Sequence, residues 1–253
     1  MHKPLSAIAI AAGLVASGLT FVSSAQAQAL DATGLQAIDA AVNAVAPKMV
    51  NWRRDIHAHP ELSGQEVRTA KLVAEHLKKL GMEVQTGVGG TGVVGTLKGG
   101  LPGKVVALRA DMDALPVLEN TGLPFASKAK ATYLGKEVPV MHACGHDAHT
   151  AMLMGAAEVL AGMKAQLPGT VKFIFQPAEE GAPVEADANG KVPSFGAKAM
   201  IEAGALKDVQ AIYGLHITSN LPGGVVGYRS GPLMAGSDNI TIHVEGRGGD
   251  LEA

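Results

Sequence analysis

Residues 104–110 (KVVALRA) and 170–175 (TVKFIF) are too short for helices and too apolar for loops, so both read as buried strands. Similar runs fall at 82–86, 91–97, 211–217 and 225–228. Between them lie stretches with helical spacing. In 34–57, Leu35, Ile38, Val42, Val45 and Met49 recur every three or four residues. In 65–80, Val67, Ala70, Val73, Ala74, Leu77 and Leu80 share a face, and Gly81 stops the helix. Further helices are expected at 147–163 and 197–205. Helices alternating with short apolar strands predict an α/β sheet covered by helices on both faces. A composition of 32 glycines, 4% aromatic and 47% hydrophobic residues suits that fold, with its many tight connections, better than an aromatic-rich all-β one. Residues 111–142, with Pro116, Pro124 and Pro139, read as a long irregular connection, and 181–195 as a loop. Residues 239–245 (NITIHVE) alternate polar and apolar, as a half-exposed antiparallel strand does, and are expected to open a separate domain near residue 230. The sequence then stops in turn-like GRGGDLEA, which reads as a truncation.

A formal net charge of −2 with no basic cluster argues against a nucleic-acid partner. The first residues carry one Lys, then an apolar stretch over 5–22, then SSAQAQA at 23–29, where small residues fit an A-x-A cleavage site. A secretory leader over 1–27 is expected, with a membrane anchor as the competing reading, and a periplasmic or secreted mature chain with no membrane association after cleavage. With one cysteine, no internal disulfide can form.

Four segments place metal-compatible side chains at strand ends. In MHACGHDAHT (141–150), Cys144 and His146 flank one glycine just before a helix; taken alone, such a pair is more often a core cysteine beside surface histidines. In FIFQPAEEG (173–181), Glu179 and Glu180 follow a buried strand where open α/β sheets bind ligands, although adjacent glutamates usually mark a solvated turn. One carboxylate can bind metal while the other moves a proton. In YGLHI (213–217), His216 falls within an expected strand, where a hydrogen-bonded core histidine is the ordinary alternative. In RADMDAL (109–115), Asp111 leaves the strand and can orient a ligand, or simply pair with Arg109.

With RRDIHAHPELS (53–63), RADMDALP (109–116), PAEEG (177–181), GAKAMIEAGAL (196–206) and YGLHI, these segments resemble the M20 metallopeptidase family. The similarity is greatest to the amidohydrolase branch of hippurate, N-acyl-amino-acid and auxin-conjugate hydrolases. The resemblance implies a zinc-peptidase-like mixed sheet over 30–230 and the start of a smaller lid or dimerisation domain over 231–253. It implies two divalent metal ions, zinc or manganese, with Cys144, His146, Glu180 and His216 as ligands. Glu179 matches the general base and Asp111 the carboxylate behind a ligand. His57 and His59 match a family motif and read as structural, and His149 as a residue behind the ligands. The implied reaction is hydrolysis of N-acyl or N-aroyl amino acids, with a dipeptidase or carboxypeptidase activity as an alternative, and homodimers in full-length relatives. Two departures stand out: Arg109 occupies a position that other branches give to a ligand histidine, and Asp250 replaces the histidine expected after GRGG. The family's last ligand histidine is expected beyond residue 253, so a catalytically inactive fragment is the further alternative.

Overall fold

The computed structural model describes residues 32–183, 192–234 and 246. Helices α1 (Ala32–Ala58) and α2 (Val67–Lys79) lead into strands β1 (Glu83–Val88), β2 (Gly92–Lys98) and β3 (Leu101–Asp111). A hairpin of β4 (Lys130–Tyr133) and β5 (Lys136–Pro139) follows, then α3 (His146–Gly162), β6 (Pro168–Gln176), α4 (Gly196–Glu202) and β7 (Ala211–Gly214). The main sheet runs β1-β2-β6-β3-β7. β2 pairs antiparallel with both β1 and β6, whereas β3 pairs parallel with both β6 and β7. The sheet is therefore mixed, as expected.

Period-two alternation along the strands separates two apolar layers. Val93, Leu97, Val171, Phe173 and Phe175 pack with Val73 and Leu77 of α2 and with Leu153, Met154 and Ala157 of α3. The intervening residues Val94 and Ile174, with Ala107, turn to the other face and meet Met200 of α4 and Ala205. Helices thus cover both faces. α1 lies on the outside of α3, and the approach is close: a Cβ at Gly155 would sit 2.5 Å from Met49 Sδ. Among the described residues, no helix is long and apolar enough to cross a membrane.

Three expectations need correction. Residues 111–142 are not wholly irregular, because β4 and β5 form a hairpin there. Its two-residue turn uses Leu134 (φ 48°) and Gly135 (φ 75°), both left-handed. The strand expected over 211–217 ends at Gly214, so His216 stands beyond the strand in an irregular segment. Residues 225–228 form no strand. The leader, residues 184–191 of the 181–195 loop and the strand expected at 239–245 lie outside the described residues.

Candidate metal centre

β3 and β6 are parallel neighbours in strict register over their last residues, with Asp111 opposite Gln176. Their exits therefore open side by side at one edge of the sheet. β3 delivers Asp111 and Asp113 there. β6 delivers Glu179 and Glu180 after a sharp turn in which Ala178 takes φ 48°. The start of α3 brings in His146. Gly145 precedes it with φ 102°, and a Cβ there would lie 2.1 Å from Ile217 Cγ2, so the glycine of Cys-Gly-His is required by both torsion and space. The segment after β7 adds His216.

His146 is the common member of the three groups of metal-compatible atoms found among the described residues: Cys144–His146–His216, His146–Glu179–Glu180 and Asp111–His146–His149, the atoms of each lying within 4.8 Å of one another. His146 Nδ1 donates to the Asp113 carbonyl at 2.9 Å. In the neutral ring, Nε2 is then the nitrogen without a proton. It faces Asp111 Oδ1 at 3.7 Å and one oxygen each of Glu179 and Glu180 at 3.8 Å. It is buried without a hydrogen-bond partner. Cys144 Sγ lies 3.5 Å from His216 Nε2.

The charge balance of this cluster is lopsided. Burial pushes the Cys144 thiol up, and the carboxylates of Glu180, Glu179 and Asp111 push the same way, to about 12. Burial also raises the Glu179 carboxyl, helped by the charge on Asp111. For His146, burial works against the charged form, but the Asp113 carboxylate, 3.3 Å from Nδ1, and the surrounding acids outweigh it and raise the pKa. All three shifts express one demand, for positive charge between the thiol, the imidazoles and the glutamates. An orphaned buried imidazole nitrogen and a mixed sulfur, nitrogen and oxygen donor set fit a divalent metal ion. The Asp111–His149 pair is different, because its contacts are already satisfied. His149 Nδ1 bonds Asp111 Oδ1 at 2.6 Å, and its Nε2 accepts the Ile217 N–H at 2.8 Å.

The structure brings Cys144, His146, Glu179, Glu180, His216 and Asp111 to one place. Arg109 does not enter it: its guanidinium bonds Asp111 at 2.6 Å and Gln176 at 2.9 Å. For Asp111, burial favours the neutral acid, but His149, His146 and Arg109 together overcome it and hold the carboxyl at about 2. His57 is buried with Nδ1 2.8 Å from Asp147 and Nε2 3.2 Å from Glu119. His59 is exposed and turns back to the Asp55 carbonyl at 2.8 Å. Three buried acids escaped sequence reasoning. Asp113 Oδ2 accepts the Ser63 hydroxyl at 2.6 Å and the Glu180 N–H at 2.9 Å. Asp147 is held by Arg53 at 2.7 Å as well as by His57. Glu66 accepts the Ala178 N–H at 2.8 Å. For Asp113 the alternation in Asp111-Met112-Asp113 was a usable signal; for Glu66 there was none.

A mixed sheet whose parallel strands end beside the start of a helix, gathering acids, imidazoles and a thiol at one edge, defines a class of metal-site α/β protein. The chain belongs to peptidase family M20/M25/M40, whose sequence profile matches residues 107–250. It is 51% identical over 202 residues to thermostable carboxypeptidase 1 of Saccharolobus solfataricus, covering 79% of this chain and 47% of that protein. It is 46% identical over 203 residues to N-acetylcysteine deacetylase of Bacillus subtilis, covering 80% of this chain and 48% of that one. A crystal structure of a dinuclear metal-binding M20 peptidase from Bacillus subtilis superposes with a TM-score of 0.64 at 45% identity, over 76% of this chain and 48% of that one. The chain thus spans about half the length of the relatives it matches.

Proposed function

We propose that this chain carries most of a metal-dependent amidohydrolase site, with Cys144, His146, Glu180 and His216 as ligands to divalent metal and Glu179 as general base. The observation that carries the reading is His146 Nε2, which is buried, unpartnered and 3.8 Å from both glutamates. Metal ions bound there would polarise an amide carbonyl and lower the pKa of water, to roughly 7 in well-studied zinc sites. Glu179 takes a proton from water as the new C–O bond forms, and gives it to the leaving nitrogen as the C–N bond breaks. The upward push on its carboxyl brings its two protonation states closer in energy near neutral pH. Asp111 is fully buried and committed to Arg109 and His149, so in this reading it orients His149 and does not meet substrate.

The proposed substrates are N-acyl or N-aroyl amino acids. In the two relatives' named activities, deacetylation of an N-acetylated amino acid and removal of a carboxy-terminal residue, the bond cut is an amide to an amino-acid nitrogen. The carboxypeptidase relative makes short peptides the second substrate class. The reading includes export: residues 1–27 act as a leader and the chemistry takes place outside the cytoplasm.

The test is to assay the purified chain with Zn²⁺ or Mn²⁺ on a benzoyl amino acid, an acetyl amino acid and a dipeptide, and to measure bound metal. Glu179→Gln is expected to lose about 10²–10⁴-fold in turnover while metal content stays unchanged. Near-normal turnover in that variant would reject the base assignment, and an absence of bound metal in the wild type would reject the site.

A further inference from the structure

We propose that Glu66 is a positioning residue: its buried carboxylate holds the Ala178 peptide and thereby aims Glu179 and Glu180 at His146. The proposal rests on the site reading above. Glu66 immediately precedes α2 and is fully buried. Its Oε1 accepts the N–H groups of Gly64 and Ala178, both at 2.8 Å, and its Oε2 accepts the Thr91 hydroxyl. These described partners are all neutral donors. A carboxylate buried without a cation is a poor way to add stability, and three directed hydrogen bonds are a good way to fix a peptide plane.

The peptide it fixes needs fixing. Ala178 carries a Cβ and yet sits at φ 48°, a left-handed conformation that alanine disfavours. That torsion turns the chain out of β6 and into the two glutamates. Two residues on, the Glu180 N–H donates to Asp113 Oδ2 at 2.9 Å. Glu179 is therefore held between two pinned peptides.

Both pins trace to one segment between α1 and α2. Ser63 donates to Asp113 Oδ2 at 2.6 Å, and Glu66 lies three residues further on. The segment is itself anchored. Leu62 bridges to Ala114, the Glu61 carbonyl accepts the Ala114 N–H at 2.8 Å, and the Glu61 carboxylate caps α2 through the N–H groups of Arg68 and Thr69. Residues 61–66 form a strap tied to the exit of β3 through Ser63 and to the exit of β6 through Glu66. Residues far from the site in sequence, and outside its donor set, thus set the spacing between its two acidic edges.

The experiment compares Glu66→Gln with Glu66→Asp in the full chain. Gln keeps the reach: its carbonyl oxygen accepts both N–H groups and its amide donates to the Thr91 hydroxyl oxygen. Asp keeps the charge but withdraws the oxygens by one methylene. Two quantities are read: Zn²⁺ affinity by competition with a chromophoric chelator, and amide hydrogen exchange across 177–181. A positioning role predicts that Gln stays near wild type in both. Asp should lose affinity by about 10–100-fold, the range seen when groups that orient ligands are removed, and should exchange faster at 178 and 180 while the strands stay protected. The proposal is overturned if Asp behaves as wild type, which makes reach immaterial, or if Gln falls as far as Asp, which shows that keeping the reach does not keep the function. The exchange readout needs no bound metal, so it judges Glu66 even if the wild-type chain takes up no Zn²⁺, a result that would instead reject the metal site.

Discussion

The backbone N–H of Ile217 donates to Nε2 of His149 at 2.8 Å, and this contact settles which nitrogen of His149 carries the proton. With Nε2 accepting, the proton is on Nδ1, where it meets Asp111 Oδ1 at 2.6 Å. His149 is thus a strut between the exit of β3 and the segment that presents His216. Replacing it with alanine removes the donor to a buried carboxylate and leaves the Ile217 N–H unpaired. His149→Ala should lower stability by about 1–3 kcal/mol and Zn²⁺ affinity by about 10–100-fold. Urea unfolding and chelator competition would check the two effects, and unchanged affinity would deny His149 any role at the site.

Asp111 supplies an acid-stability prediction. Its folded pKa of about 2 lies below the ordinary 3.8. A depressed carboxyl contributes stability that is complete above the unfolded pKa and disappears as pH falls through the folded one. The loss should therefore fall between about pH 4 and pH 2, and the shift corresponds to about 2 kcal/mol. Asp111→Asn should be less stable than wild type at pH 7, and the gap should close by pH 2. Denaturant titrations at both pH values measure it, and a gap independent of pH would contradict it.

Cys144, with its thiol pushed up to about 12, stays protonated at neutral pH until a cation displaces the proton. Zn²⁺ uptake by the wild type should therefore release a proton that Cys144→Ser does not release. Calorimetry in buffers of different ionisation enthalpy counts it. The same variant should lose more affinity for Zn²⁺ than for Mn²⁺, because oxygen donors suit manganese better than they suit zinc. Equal proton release from the two proteins would place the thiol outside the metal site.

The proposed leader gives a prediction that depends on sequence alone. Expressed with its first residues in a Gram-negative host, the chain should be recovered from the periplasm with its amino terminus at Gln28 or Leu30, after the A-x-A exits at 25–29. Amino-terminal sequencing checks it, and an intact Met1 on membrane-bound protein would favour an anchor.

What was legible in the sequence was set by how local its cause is. β6 was visible because Phe173, Ile174 and Phe175 form an apolar run buried from both faces. α2 was visible because its apolar residues repeat at helical spacing. The β4–β5 hairpin was hidden, because its turn is Leu134-Gly135 where Asn-Gly is the familiar signal, and because its strands are short and have no fully buried residue. His216 was placed in a strand because YGLHI reads as continuous apolar sequence, but the ladder with β3 stops at Gly214. Cys-Gly-His and Glu-Glu were readable as compact patterns, and their proposed roles as donors came only with the family resemblance. The supports were legible only in part: the resemblance placed Asp111 and His149 behind the ligands, but Glu66 reaches Ala178 across 112 positions, and nothing near Glu66 hints at that destination.

The pairing of Asp111 with Gln176 acts as a ruler. Each residue of a parallel strand advances about 3.3 Å, so one residue inserted into β3 or β6 would slide one lip of the site past the other by that distance. It would also turn every later side chain of that strand to the opposite face. Changes of length in this protein are therefore affordable in the hairpin and the surface loops, while these two strands must keep step with each other.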